Sequence, residues 1–91
     1  ATPEIRIEVG DETKFEIMDQ LNQVASFDDG TVTTIDGIRV DYADGWGLVR
    51  ASNTNPMLTL RFEADDDSAM ERIKNVFREQ IQAIDENINF D

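Results

Sequence analysis

Residues 36–64 read DGIRVDYADGWGLVRASNTNPMLTLRFEA. Three apolar alternations stand in this one stretch. Ile38, Val40 and Tyr42 fall on one face of a strand. Trp46, Leu48 and Arg50 fall on one face of the next, with Val49 on the other. Leu58, Leu60 and Phe62 alternate with Thr59, Arg61 and Glu63 in a third. Period-two patterning of this kind marks strands with one buried face. The Asp-Gly pairs at 36–37 and 44–45, with another at 29–30, are tight-turn signals, because both residue types tolerate positive φ. The stretch therefore reads as an antiparallel meander.

TVTTI at 31–35 adds a β-rich segment before the meander. Upstream, Ile5, Ile7 and Val9 alternate with Glu4, Arg6 and Glu8, giving a first strand. Between them, DETKFEIMDQLNQVA at 11–25 has helical spacing. Phe15, Met18, Leu21 and Ala25, with Ile17 and Val24 beside them, form its expected core face. Asp11 and Glu12 lie at the positive end of its dipole. Downstream, a second amphipathic helix carries Ala69, Ile73, Val76, Phe77 and Ile84 inward, with Met70 and Ile81 flanking. Its cap is either a Ser68/Glu71 capping box or one of Asp65, Asp66 and Asp67. The order is β-α-β-β-β-β-α. An α+β domain follows, with two helices packed on one face of an antiparallel sheet. Residues 1–91 make one domain, with 1–3 expected as linker and 86–91 as tail.

Twenty acidic residues against eight basic ones give a net charge of −12, which argues against nucleic acid and anionic membranes as partners. The chain has no run near the ~20 apolar residues that span a bilayer. Cysteine is absent, which removes disulfides, thiolate metal sites and thiol nucleophiles and fits a cytoplasmic setting. Histidine is absent too, so the commonest proton-transfer side chain near neutral pH is missing. Asp65, Asp66 and Asp67 are contiguous, whereas a calcium loop spaces its ligands at alternate positions; a helix cap is the better reading. Asp41 and Asp44 read as turn residues, and Trp46 as a packing residue. No metal site is expected.

One loop departs from the acidic background. Residues 50–56, RASNTNP, contain an arginine, a serine, a threonine and two asparagines, with no acid. Arg50 offers a planar fork matched to two phosphate oxygens. Ser52 and Thr54 offer hydroxyls, and Asn53 offers an amide. Pro56 stiffens the exit. The competing reading is a loop that caps its own backbone.

The stretch DGIRVDYADGWGLVRASNTNPMLTLRFEA closely resembles the C-terminal domain of the bacterial phosphomannomutase/phosphoglucomutase group of α-D-phosphohexomutases. The likeness extends from TPEIRI through KFEIMDQL to MERIKNVFREQ. It implies a TBP-like β-α-β(4)-α fold. It also implies a four-domain parent enzyme that moves a phosphoryl group between the 1- and 6-positions of mannose or glucose, through a phosphoserine and a sugar bisphosphate. Arg50, Ser52, Asn53 and Thr54 match that family's phosphate-binding loop and would hold the phosphate that is not transferred. The chain has none of the family's serine-phosphate, DGDxDR magnesium or GEMSGH sugar loops. Mg2+ and a glucose 1,6-bisphosphate-type activator are thus implied only for the full enzyme, with the other three domains as partners. The chain, which does not begin with methionine, is expected to be an excised domain without catalytic residues or turnover of its own. A free-standing acidic protein-interaction domain is the alternative.

Overall fold

A computed structural model of the chain describes residues 4–24, 27, 29–34 and 37–88. Strand β1 (Ile5–Glu8) leads into helix α1 (Asp11–Val24). Strands β2 (Thr31–Thr33), β3 (Ile38–Tyr42), β4 (Gly45–Ala51) and β5 (Met57–Ala64) follow, then helix α2 (Asp67–Ile84). The expected element order and α+β class are both present. The sheet order is β1-β5-β4-β3-β2, antiparallel throughout. Consecutive strands pair from β2 to β5, and β1 closes the far edge against β5, with Ile5 opposite Leu60.

Both helices pack on β4 and β5 and on each other. The faces follow the alternation. Ile38, Val40, Val49, Leu58, Leu60 and Phe62 point toward the helices and are buried. From α2, Ala69, Ile73, Phe77 and Ile81 meet them. Ile81 is thus central to the α2 stripe, while Val76 and Ile84 lie at its half-buried margin. The Phe77 ring sits edge-on to Phe62 at 5.3 Å and tilted against Phe27 at 5.1 Å. Gly47 makes room for it: a Cβ there would lie 2.5 Å from a Phe77 ring carbon. Ile88 also joins the core, and its carbonyl accepts from Gln82 Nε2 at 3.0 Å.

The Asp-Gly pairs turn the chain by different means. Asp29 has φ 65° and Gly37 has φ 122°. Ala43 and Asp44 instead join β3 to β4 as a two-residue connection without positive φ. Asp36, Ile35 and Ala25 fall outside the described residues, as do 1–3 and 89–91.

One local expectation needs correction, and the open choice of cap for α2 is decided. Phe15 is not a core residue; it is 58% exposed. The buried stripe of α1 is Lys14, Ile17, Met18 and Leu21, one residue out of phase with the expected start. The cap of α2 is Asp66 rather than a Ser68/Glu71 box: Asp66 Oδ1 accepts from Ala69 N at 2.7 Å. Asp11 and Glu12 do occupy the first turn of α1.

Candidate functional site

The loop between β4 and β5 is built by register. Ala51 pairs with Leu58, and Ser52 N donates to Met57 O at 2.9 Å, so the strands close immediately before the loop diverges. Arg50 and Ala51 belong to β4 itself, and only residues 52–56 form the connection. Ser52 Oγ turns inward and accepts from Asn55 N at 3.2 Å and Thr54 N at 3.4 Å. Asn55 Nδ2 donates to Thr54 Oγ1 at 3.3 Å, and Met57 N donates to Asn55 O at 2.8 Å. The expected self-capping is therefore real, but it uses the hydroxyls as acceptors. A hydroxyl that accepts still has its own O–H to donate.

The loop is also tied from outside. Pro56 O accepts from Val9 N at 2.9 Å and Gly10 N at 3.0 Å, the segment joining β1 to α1. From α1, Lys14 Nζ donates to Ser52 O at 2.7 Å and Asn55 O at 2.9 Å. Asp11 Oδ1 lies 3.5 Å from the same ammonium. Lys14 is only 4% exposed, although its partner Asp11 is open to solvent. Burying a lysine is tolerable when its ammonium is fully hydrogen-bonded and its stem packs.

Arg50 projects from the sheet face opposite the helices. Its Nε donates to Thr59 Oγ1 at 3.4 Å, and Thr59 is itself buried. The arginines around it are otherwise engaged. Glu4 lies 3.2 Å from Arg6 and 3.5 Å from Arg61, and those two arginines hold its carboxyl below the usual range, with the Arg6 hydrogen bond the largest cause. Arg39 pairs with Asp41 at 3.1 Å and covers the Trp46 ring at 4.5 Å. Among the described residues Arg50 forms no ion pair. Arg50 and Asn53 line a cleft of about 250 Å³, whose walls include the exposed Phe15 together with Gly37 and Ala51. Ser52 and Thr54 stand in the same loop but do not line that cleft.

Of the four residues singled out by sequence, the structure thus brings Arg50 and Asn53 to one cleft and keeps Ser52 and Thr54 adjacent. Sequence reading missed Lys14 and Thr59. Thr59 lies directly across from Arg50 in the register, so its role was available once the hairpin was aligned. Among the described residues, no group of three or more acidic side chains is placed to hold a metal ion. No helix among them is long and apolar enough to cross a membrane.

Comparison with known proteins gives this geometry a family. Residues 4–80 match the family model described as phosphoglucomutase/phosphomannomutase, C-terminal domain. A phosphomannomutase/phosphoglucomutase of Pseudomonas putida is 59% identical over 85 residues, covering 93% of this chain and 18% of that protein. Its namesake in Pseudomonas aeruginosa strain PAO1 is 54% identical over 97% of this chain and 19% of its own length. A crystal structure of a phosphoglucomutase/phosphomannomutase family protein from Burkholderia thailandensis superimposes with TM-score 0.85 at 42% identity. It covers 98% of this chain and 18% of that one. The chain therefore spans about a fifth of the length of these relatives. On the match of residues 4–80 and these identities, the chain belongs to the family of phosphoglucomutase/phosphomannomutase C-terminal domains.

Proposed function

We propose that this chain is the substrate-phosphate-binding domain of a phosphohexomutase that interconverts hexose 1-phosphates and 6-phosphates through a phosphoserine and a bisphosphorylated intermediate. Arg50, Ser52, Asn53 and Thr54 hold the phosphate that is not being transferred. The observation that carries this reading is Arg50, a guanidinium without an ion pair among the described residues, beside an acid-free loop in a chain of net charge −12. Its fork presents two donors to a phosphate. The Ser52 and Thr54 hydroxyls, whose oxygens already accept within the loop, keep their protons for it.

The loop's contribution is positional. Contacts to a remote phosphate orient the sugar so that reaction at its other end becomes effectively unimolecular. No step of that chemistry is assigned to this chain. Mg2+ and the sugar-bisphosphate activator belong, in this reading, to the other three domains of the parent enzyme. Mannose and glucose phosphates are the proposed substrates, and a cytoplasmic setting belongs to the same proposal.

Each charge-assisted hydrogen bond contributes ~1.5–3 kcal/mol before ordering costs. Millimolar affinity requires only about 4 kcal/mol, which one open loop can supply. Titrating the labelled chain with glucose 6-phosphate or mannose 1-phosphate should move amide resonances confined to residues 50–56, with millimolar affinity. Arg50→Lys should remove most of those shifts, because an ammonium cannot replace two parallel donors. No shifts at tens of millimolar would overturn the reading in favour of a protein-interaction domain. Undiminished binding by Arg50→Lys would remove the bidentate role from Arg50.

A further inference from the structure

We propose that Lys14 is the positioning residue of this loop, the strut that holds it in its anion-receiving shape; the inference rests on the phosphate-binding reading of the site. An ammonium has three N–H donors. Here the three acceptors within reach are Ser52 O, Asn55 O and Asp11 Oδ1. Two of them are main-chain carbonyls at the two ends of the short turn that contains Asn53 and Thr54. Lys14 therefore sets the span of that turn directly, across 38 and 41 residues of sequence.

Drawing those carbonyls toward α1 has a consequence for the opposite side of the turn. A peptide unit is planar, so fixing Ser52 C=O also fixes the direction of Asn53 N–H, whereas the unit after Asn55 leads into Pro56 and has no N–H to direct. With Ser52 O and Asn55 O turned inward, acceptor oxygens are kept away from an incoming phosphate, which they would repel. Two of the ammonium's donors are spent on the loop and the third faces Asp11 Oδ1, so Lys14 acts through the loop and does not touch the ligand. A site held within about 0.5 Å of its productive geometry needs this kind of supporting contact.

The test compares three forms of the chain by titration with glucose 6-phosphate, with inorganic phosphate in parallel. Lys14→Met keeps the apolar stem and removes the ammonium. It should lose at least about tenfold in affinity, equivalent to about 1.4 kcal/mol, and should shift the ligand-free amides of 52–57. Lys74→Met removes the same charge from α2, one residue past Ile73, whose side chain lies at Gly45 at the far end of β4, and should bind within about twofold of the parent chain. The sequence has no cysteine, so Lys14→Cys can be alkylated with bromoethylamine while unfolded and then refolded. The restored ammonium should recover binding along with stability.

A purely structural lysine would give a different pattern: stability recovered by the alkylated form without recovered affinity, or Lys14→Met binding within about twofold of the parent. Either result overturns the proposal. If Lys14→Met does not fold, the parent chain itself supplies the test. Scalar couplings across the hydrogen bonds from Lys14 Nζ to the Ser52 and Asn55 carbonyls should persist when glucose 6-phosphate saturates the loop, and their loss on binding would overturn it. Failure of the parent chain to bind either probe instead removes the phosphate reading, and this one with it.

Discussion

Asp44 and Arg72 form the ion pair that fastens the β3–β4 turn to α2. Arg72 Nη1 donates to Asp44 Oδ2 at 2.7 Å, and Nη2 donates to Oδ1. The same guanidinium lies 5.8 Å from the centre of the Tyr42 ring, and Asp65 N donates to Asp44 O at 2.9 Å. The hydrogen bond from Arg72 is the chief reason that the Asp44 carboxyl is held below its usual range. A carboxyl depressed in the folded state binds its proton more readily when unfolded. Its stabilising effect is therefore present above the ordinary aspartate value of about 3.9 and is lost as pH falls through the folded value. Asp44→Asn mimics the protonated acid. Its melting temperature should lie below the parent's at neutral pH, with the gap unchanged down to about pH 5. Below that the two curves should converge. A gap that stays constant into strong acid would mean that the pair contributes nothing through its charge. Because the pair is open to solvent, salt should narrow the gap at neutral pH as well.

At the scale of elements, α2 shows how a cap and a stripe divide the work. Asp66 takes extended backbone, accepts from Ala69 N through its side chain and starts the helical ladder through its carbonyl, which accepts from Met70 N at 3.0 Å. Asp66→Ala should cost about 1 kcal/mol. In a chain of this size that lowers the melting temperature by roughly 4–8 °C. Packing of Ala69, Ile73, Phe77 and Ile81 should hold the helix formed, so phosphosugar binding at the other end of the hairpin should not change. Thermal unfolding checks the first part; a drop of under about 2 °C would mean that Asp65 or Asp67 takes over the cap.

The strands of this domain were legible because alternation in β3 and β5 reports burial directly, whereas in β4 the buried face is that of Gly47 and Val49, not the one that carries Trp46 and Leu48. Helix α1 was misphased for a physical reason. Lys14, Ile17, Met18 and Leu21 have the spacing of a buried stripe, but a lysine counts as buried only when acceptors for its ammonium are known. Those acceptors lie 38 and 41 residues away in sequence, so Phe15 looked like the better core residue. The loop's composition was readable for the same reason that its anchor was not: composition is local, and the tie is a product of the fold.

For the whole molecule, charge and size set the terms. The chain carries a net charge of −12 within extents of 34 × 26 × 24 Å. At ~0.01 M salt the screening length is about 30 Å, so carboxylates across the entire molecule repel one another; at ~0.15 M it is about 8 Å, and only neighbours interact. The close pairs Arg39–Asp41 and Glu4–Arg6, at 3.1 and 3.2 Å, lie well inside the shorter length and lose less than the long-range repulsion does. Adding sodium chloride over this range should therefore raise the melting temperature. The same arithmetic applies to a phosphate dianion approaching the loop. Distant carboxylates repel it, while Arg50 attracts it at contact. Salt removes the first effect before the second, so affinity for glucose 6-phosphate should stay within about threefold or tighten, unlike at a site on a basic surface, where it falls steeply. Calorimetric melting and amide titration at both salt concentrations measure the two outcomes. A melting temperature that falls with salt would show that the close ion pairs outweigh the excess negative charge. A tenfold loss of affinity would show that the field at the loop is positive despite the charge around it.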